Sequence, residues 1–111
     1  MKKQRIYISG PISGRNLNER RKSFALIEAL LRADGHEPFD PMRNGLPEDA
    51  TTHQHMHRDL AELTREDKPY DAIFMMRGWL HSAGCKLEFD VATSIGLNVI
   101  FEELPEPIRF A

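Results

Sequence analysis

One cysteine, Cys85, is all that the 111 residues hold. No internal disulfide can form, which fits a reducing compartment, the cytoplasm. No apolar run approaches the ~20 residues of a membrane helix. Met1-Lys-Lys-Gln-Arg5 leads directly into a strand-like Ile6-Tyr-Ile8, with no signal-type apolar core. A membrane is therefore not expected as a partner. Charge of either sign is also scarce in excess: the net value is −2, from 15 basic and 17 acidic residues. That removes the electrostatic case for a nucleic acid polymer. Internal repeats and low-complexity linkers are missing. So are two common nucleotide signatures, since no Gly-Lys-Ser/Thr follows a glycine loop and no Gly-x-Gly-x-x-Gly occurs. With 41% hydrophobic and 29% charged residues, the chain reads as one globular domain, 1–111, with a single modest core.

Taken in order, Arg5–Ser9 is a short β-branched and aromatic run ended by Gly10 and Pro11, which predicts a first strand. Asn16 or Asn18 can cap a helix whose apolar stripe is Phe24, Ile27, Leu30 and Leu31 and which Gly35 closes. His36–Pro41 is weakly strand-like, and its two prolines suit a sheet edge. A polar loop, 42–52, leads to a helix over His53–Glu66 with Met56, Leu60 and Leu63 inward, and Pro69 behind it. Asp71–Met76 is a nearly continuous apolar run suited to a central strand. A helix from about Ser82 and a last strand, Asn98–Phe101, follow. The tail Leu104–Ala111 reads as irregular, with Phe110 as a side chain to dock on a surface or a partner subunit.

Strands alternating with helices predict an α/β fold: a small doubly wound parallel sheet, flavodoxin- or Rossmann-like, of order 2-1-3-4 with flanking helices. Ligands of such sheets bind beyond the carboxyl ends of the strands, at the switch between the first and third. The loop Gly10–Arg15 follows strand one and the loop Arg77–Gly84 follows strand three, so both open into one crevice.

At about 100° per residue, Gly84, Cys85, Leu87, Val91, Ala92 and Ile95 share one arc of the third helix, opposite Lys86, Asp90 and Thr93. Glu88 falls in the middle of that arc. A carboxylate there is paired, for instance with Arg77, or sits at a frayed edge, or is used. Gly10, Pro11, Ser13, Gly14 and Arg15 offer backbone N–H groups, a hydroxyl and a guanidinium before a helix N-terminus, which makes either an ordinary turn or a phosphate cradle. Ser82 serves as an N-cap and also borders the crevice. Trp79 is either core or a stacking wall for a ligand. Asp59 sits beside the inward stripe of the second helix, as surface charge or as a site residue, and Tyr7 needs a partner for its hydroxyl if buried. His53, His55 and His57 suggest a metal tract, but His55 points away from the other two and no acidic or thiol ligand joins them, so polar surface histidines are expected. Cys85 reads as packed rather than reactive. Asp71, at the far end of its strand, reads as structural.

Four pieces in order, Ile6–Arg15, His57-Arg-Asp-Leu60, the strand 71–76 and Ser82-x-Gly84-x3-Glu88, resemble the nucleoside 2-deoxyribosyltransferase-like superfamily. The match looks closest to a small branch of bacteria and phages, of which Pro11 and Trp79 look typical. It is also similar to the 2′-deoxynucleoside 5′-phosphate N-hydrolases, and it runs over about residues 5–101. The resemblance implies that Glu88 is a nucleophile attacking C1′ of deoxyribose, that Tyr7 orients its carboxylate, and that Asp59 contacts the leaving base and assists its protonation. It implies that Gly10, Ser13, Gly14, Arg15 and Ser82 hold the 5′ end, with Ser82 and Arg15 favouring a 5′-phosphate. No metal and no cofactor is implied. The ligand would be a small-molecule nucleoside or nucleotide, and the site would be completed by a neighbouring subunit, hence at least a homodimer. Hydrolysis and base transfer both stay open, because the chain is shorter than the transferases and lacks their closing C-terminal segment. A non-catalytic nucleotide-binding module for sensing or sequestering, or an assembly protein on the same fold, are the competing readings.

Overall fold

Strand β1, Arg5–Ser9, lies between β2, Glu37–Phe39, and β3, Ala72–Met75, with β4, Asn98–Phe101, beyond β3. All pairs are parallel, in the order 2-1-3-4. The computed structural model describes residues 2–103; the tail 104–111, and with it the expected docking of Phe110, lies outside the described residues.

The direction of chain travel fixes the layers. Right-handed crossovers put helices on opposite faces when the strand order reverses. The first helix, α1 (Leu17–Ala33), carries the chain from β1 out to β2. Helices α2 (Thr52–Leu63) and α3 (Ala83–Ser94) carry it the other way, through β3 to β4. Accordingly α1 packs Phe24, Ile27 and Leu31 against Ile6, Ile8, Ala72 and Phe74 on one face. On the other face α2 and α3 pack Leu63, Cys85 and Ala92 against Tyr7, Ile73 and Met75. Alternation along β1 splits that strand between the two faces.

Local signals set the helix ends. The Asn16 side chain accepts from the Glu19 N–H to cap α1 at 3.0 Å. Thr51 and Gln54 form a reciprocal capping box that starts α2 one residue before His53. The far end of α2 differs from the sequence expectation, closing at Leu63 instead of Glu66. There the Thr64 hydroxyl donates to the Leu60 carbonyl at 2.7 Å and the backbone ladder tightens, with Arg65 N–H on Glu62 O.

Two apolar stripes also need correcting. Leu30 is exposed, because α1 turns Glu28 inward instead, where Arg32 and Arg43 reach its carboxylate at 3.3 and 3.6 Å. In α3 the buried set is Cys85, Glu88 and Ala92, while Leu87 and Ile95 face outward. The expected arc was centred too far towards Leu87, because Phe89 on its other flank also packs against the sheet-side cluster.

Candidate active site

Glu88 is set by three local events. The Ser82 side chain accepts from the Cys85 N–H at 3.2 Å and so starts α3. Three and seven residues after Cys85, Glu88 and Ala92 fall on the same sheet-facing side. Opposite them, β1 presents Tyr7 and Ser9, which alternate with the apolar Ile6 and Ile8. The Tyr7 hydroxyl donates to Glu88 Oε2, and the Ser9 hydroxyl donates to Oε1 at 2.8 Å. Both carboxylate oxygens are thus held from a central strand, and among the described residues no cation pairs with them. Arg77, the partner considered from sequence, pairs with Glu103 at 2.7 Å instead.

The electrostatic result follows. Burial pushes the Glu88 carboxyl up to about 7, against the two hydroxyl hydrogen bonds that hold it down, and the nearby Asp59 carboxylate adds to the rise. Burial and the adjoining Glu88 push the Tyr7 phenol well above its ordinary value, so it keeps its proton and stays a donor. Burial likewise pushes the Cys85 thiol up, which agrees with a packed, unreactive cysteine.

Glu88 opens into a cavity of about 640 Å³ at the carboxyl ends of the strands. One wall is the loop after β1: Gly10, Pro11, Ser13, Gly14 and Arg15 all border it. Ser82 and Gly84 border it from the start of α3, and Asp59 from α2. Gly10 is required by close approach, since a Cβ there would lie 2.5 Å from Met76 Sδ and 3.0 Å from the Phe24 ring. Gly14, at φ +73°, takes the third place of a turn closed by Arg15 N–H on Ile12 O at 3.2 Å. The loop 44–50 also borders the cavity, tied to α1 by an ion pair between Arg21 and Glu48.

Asp59 is half-buried. Burial raises its carboxyl, opposed by a hydrogen bond from the Asn44 side-chain amide at 2.9 Å. The same amide nitrogen lies 3.0 Å from His55 Nδ1. Two carboxyls, one on α2 and one on α3, therefore share a cavity large enough for a nucleotide-sized ligand, and burial favours the protonated form of each.

A family model described as "Domain of unknown function (DUF4406)" matches residues 4–101. The chain belongs to the DUF4406 family. That span takes in all four strands, all three helices and every residue of the site just described. No curated protein matches the chain.

Within this DUF4406 domain, one expected site residue lies apart from the others. Trp79 is not among the residues that border the cavity; its ring packs on Phe89 and Phe101, with centroids 4.8 and 5.8 Å away. Of its two open readings the structure selects core, because the short 3-10 helix Trp79–His81 turns the indole towards α3 and β4. The histidine tract divides as well. His53 and His57 are exposed, whereas His55, expected on the surface, borders the cavity. Among the described residues no cluster of His, Cys, Asp or Glu is arranged to hold a metal ion. No helix there is long and apolar enough to cross a membrane. Asp71 is structural as expected, accepting from the Arg5 N–H at 2.8 Å.

Sequence reasoning missed three residues. Ser9 had a readable signal, since it lies two positions after Tyr7 on one strand and must share its face. His55 had a weaker one, four residues before Asp59 on the same helix. Asn44 had none, because its place depends on how the loop after β2 folds back over α2.

Proposed function

We propose that the protein cleaves the N-glycosidic bond of a 2′-deoxynucleoside or its 5′-monophosphate, or exchanges its base, through a covalent Glu88–deoxyribosyl intermediate. The observation that carries this reading is Glu88 itself: a buried carboxylate with no cation beside it among the described residues, its two oxygens held by Tyr7 and Ser9, at the wall of a ligand-sized cavity. The resemblance to the nucleoside 2-deoxyribosyltransferase-like superfamily supplies the substrate class.

In the reaction so proposed, a Glu88 oxygen attacks C1′ as the C1′–N bond breaks and its electron pair leaves with the base. The Asp59 carboxyl, in its protonated form, gives its proton to the departing nitrogen. The product is a glycosyl ester on Glu88. Attack on C1′ by water or by a second base, whose proton passes to the Asp59 carboxylate left by the first step, then frees Glu88, so two inversions give net retention. Tyr7 and Ser9 keep the nucleophile in one orientation without supplying a positive charge that would blunt it.

The turn Gly10–Arg15 and the Ser82 hydroxyl, which border the same cavity, suit the sugar's 5′ end, and Arg15 favours a phosphate there. The chemistry calls for no cofactor. Exposed Leu80 and Leu87 flank the stretch that borders the cavity and suit a second subunit, in line with the homodimer that the resemblance implies. One buried cysteine fits a cytoplasmic setting.

The test is chromatographic detection of free base after incubation with a panel of deoxynucleosides and their 5′-monophosphates, with Glu88→Gln in parallel. Release by wild type and not by the variant is expected, and a second free base then separates transfer from hydrolysis. Saturable binding of monophosphates with no release would replace this reading by that of a nucleotide sensor.

A further inference from the structure

Asn44 is buried, and its side chain is fully committed. The Leu46 backbone N–H, which can only donate, lies 3.1 Å from Asn44 Oδ1. That contact fixes the amide orientation without reference to any other group. The amide nitrogen therefore faces Asp59 Oδ1 at 2.9 Å and His55 Nδ1 at 3.0 Å, one hydrogen to each. A nitrogen that accepts carries no proton, so the His55 ring proton sits on Nε2.

His55 and Asp59 are four residues apart on one face of α2, and both border the cavity. Among the described residues, neither His55 Nε2 nor Asp59 Oδ2 has a protein hydrogen bond, and neither is sealed from solvent. Asn44 thus holds His55, a residue of the cavity wall, with its ring proton on the unpartnered Nε2 and denies it the other tautomer.

We infer that His55 is a specificity-determining residue for the heterocycle, with Asn44 as its positioning residue, and that this wall selects a ring bearing a carbonyl oxygen over the same ring bearing an amino group. The inference rests on the nucleotide reading above. A carbonyl accepts from His55 Nε2–H, while an exocyclic amine places donor against donor. Leaving one such buried pair unmade costs about tenfold in affinity.

The experiment is calorimetric titration of the full chain carrying Glu88→Gln, which cannot consume the ligand. The probes are 2′-deoxyinosine and 2′-deoxyadenosine 5′-monophosphates, 2′-deoxyuridine and 2′-deoxycytidine 5′-monophosphates, and baseless 2-deoxyribose 5-phosphate. In whichever pair binds, the oxo member is expected to bind about tenfold more tightly than the amino member. Adding His55→Phe should bring the two within about twofold, and so should adding Asn44→Ala, with the baseless sugar phosphate binding as before. His55→Gln should keep the preference, since its amide can accept from Asn44 and still donate. Equal binding of the pair, or a preference that survives His55→Phe, would overturn the inference while leaving the nucleotide reading intact. Absence of binding by every probe would overturn both.

Discussion

Among the described residues three glutamates are buried, Glu28, Glu62 and Glu88, and two of them form a natural comparison. Glu62 on α2 and Glu88 on α3 each accept a hydrogen bond from a tyrosine hydroxyl, Tyr70 and Tyr7. They differ in the company of cations. Arg58 and Arg65 reach Glu62, both at 3.3 Å, and although burial alone would raise its carboxyl, the hydrogen bonds from Tyr70 and the two arginines hold it below the ordinary value. Glu88 has only hydroxyls among the described residues, and burial carries it up to about 7. Glu28 also has arginines for company, Arg32 at 3.3 Å and Arg43 at 3.6 Å. Burial of a carboxylate therefore does not mark a site by itself. What sets Glu88 apart is burial left uncompensated by charge, beside a cavity.

The largest effect should come from neutralising each carboxyl in turn. Glu88→Gln should lower base release by at least about a thousandfold, while Glu62→Gln should leave it within about twofold. Stability should respond in the opposite sense. In the folded chain Glu88 holds its proton to about pH 7 and in the unfolded chain to about 4.5, so folding takes up a proton between these values. Wild-type stability from this group therefore falls as pH rises through that window, by up to about 3 kcal/mol. Glu88→Gln should be more stable than wild type at pH 8, by about 1–2 kcal/mol, with the gain fading towards pH 5. Glu62→Gln should lose about 1–2 kcal/mol at pH 8, since its half-exposed arginines are screened by solvent. Thermal unfolding of both variants at the two pH values reads these signs. If Glu62→Gln proved the catalytically dead variant, the comparison would break.

A middle-sized effect belongs to Tyr7. The rate of base release should rise with pH through an apparent value near 7 as Glu88 ionises. Tyr7→Phe removes a hydrogen bond that favours the ionised form, so the rising limb should move to higher pH and the neutral-pH rate should fall roughly ten- to a hundredfold. The phenyl ring stays stacked on Phe39 and edge-on to Tyr70, so melting should shift little. A limb that stayed in place would mean that Glu88 is not the group being titrated.

Ser9→Ala should give the smallest change, a several-fold loss with a limb displaced in the same direction. It sharpens the comparison, because it asks whether the second hydroxyl holds the carboxylate or merely fills the strand's end.

Much of this was legible before the fold was known. The bounds of β1 and β4, the order 2-1-3-4 and the convergence of two loops on one crevice all follow from alternating strand and helix patterns with short connections. Glu88 announced itself as an acid on an apolar helix face. Trp79 did not, since an aromatic in a loop between a strand and a helix packs equally well on core or on ligand, and only the turn at Gly78–His81 chose between them.

Helical and strand periods by themselves determined which residues share a face, because a side chain's direction depends on its place in a repeating backbone. Packing settled how much of each face is buried, leaving Leu30, Leu87 and Ile95 exposed. Whether a buried acid meets arginines or hydroxyls depends on which strands and loops come to face it across the sheet. That choice, Arg58 and Arg65 for Glu62 but Tyr7 and Ser9 for Glu88, was made by contacts between residues distant in the chain, as was the seating of Asn44 on His55 and Asp59. Only the tertiary structure decided it, because the electrostatic field at a buried group is set by its neighbours in space.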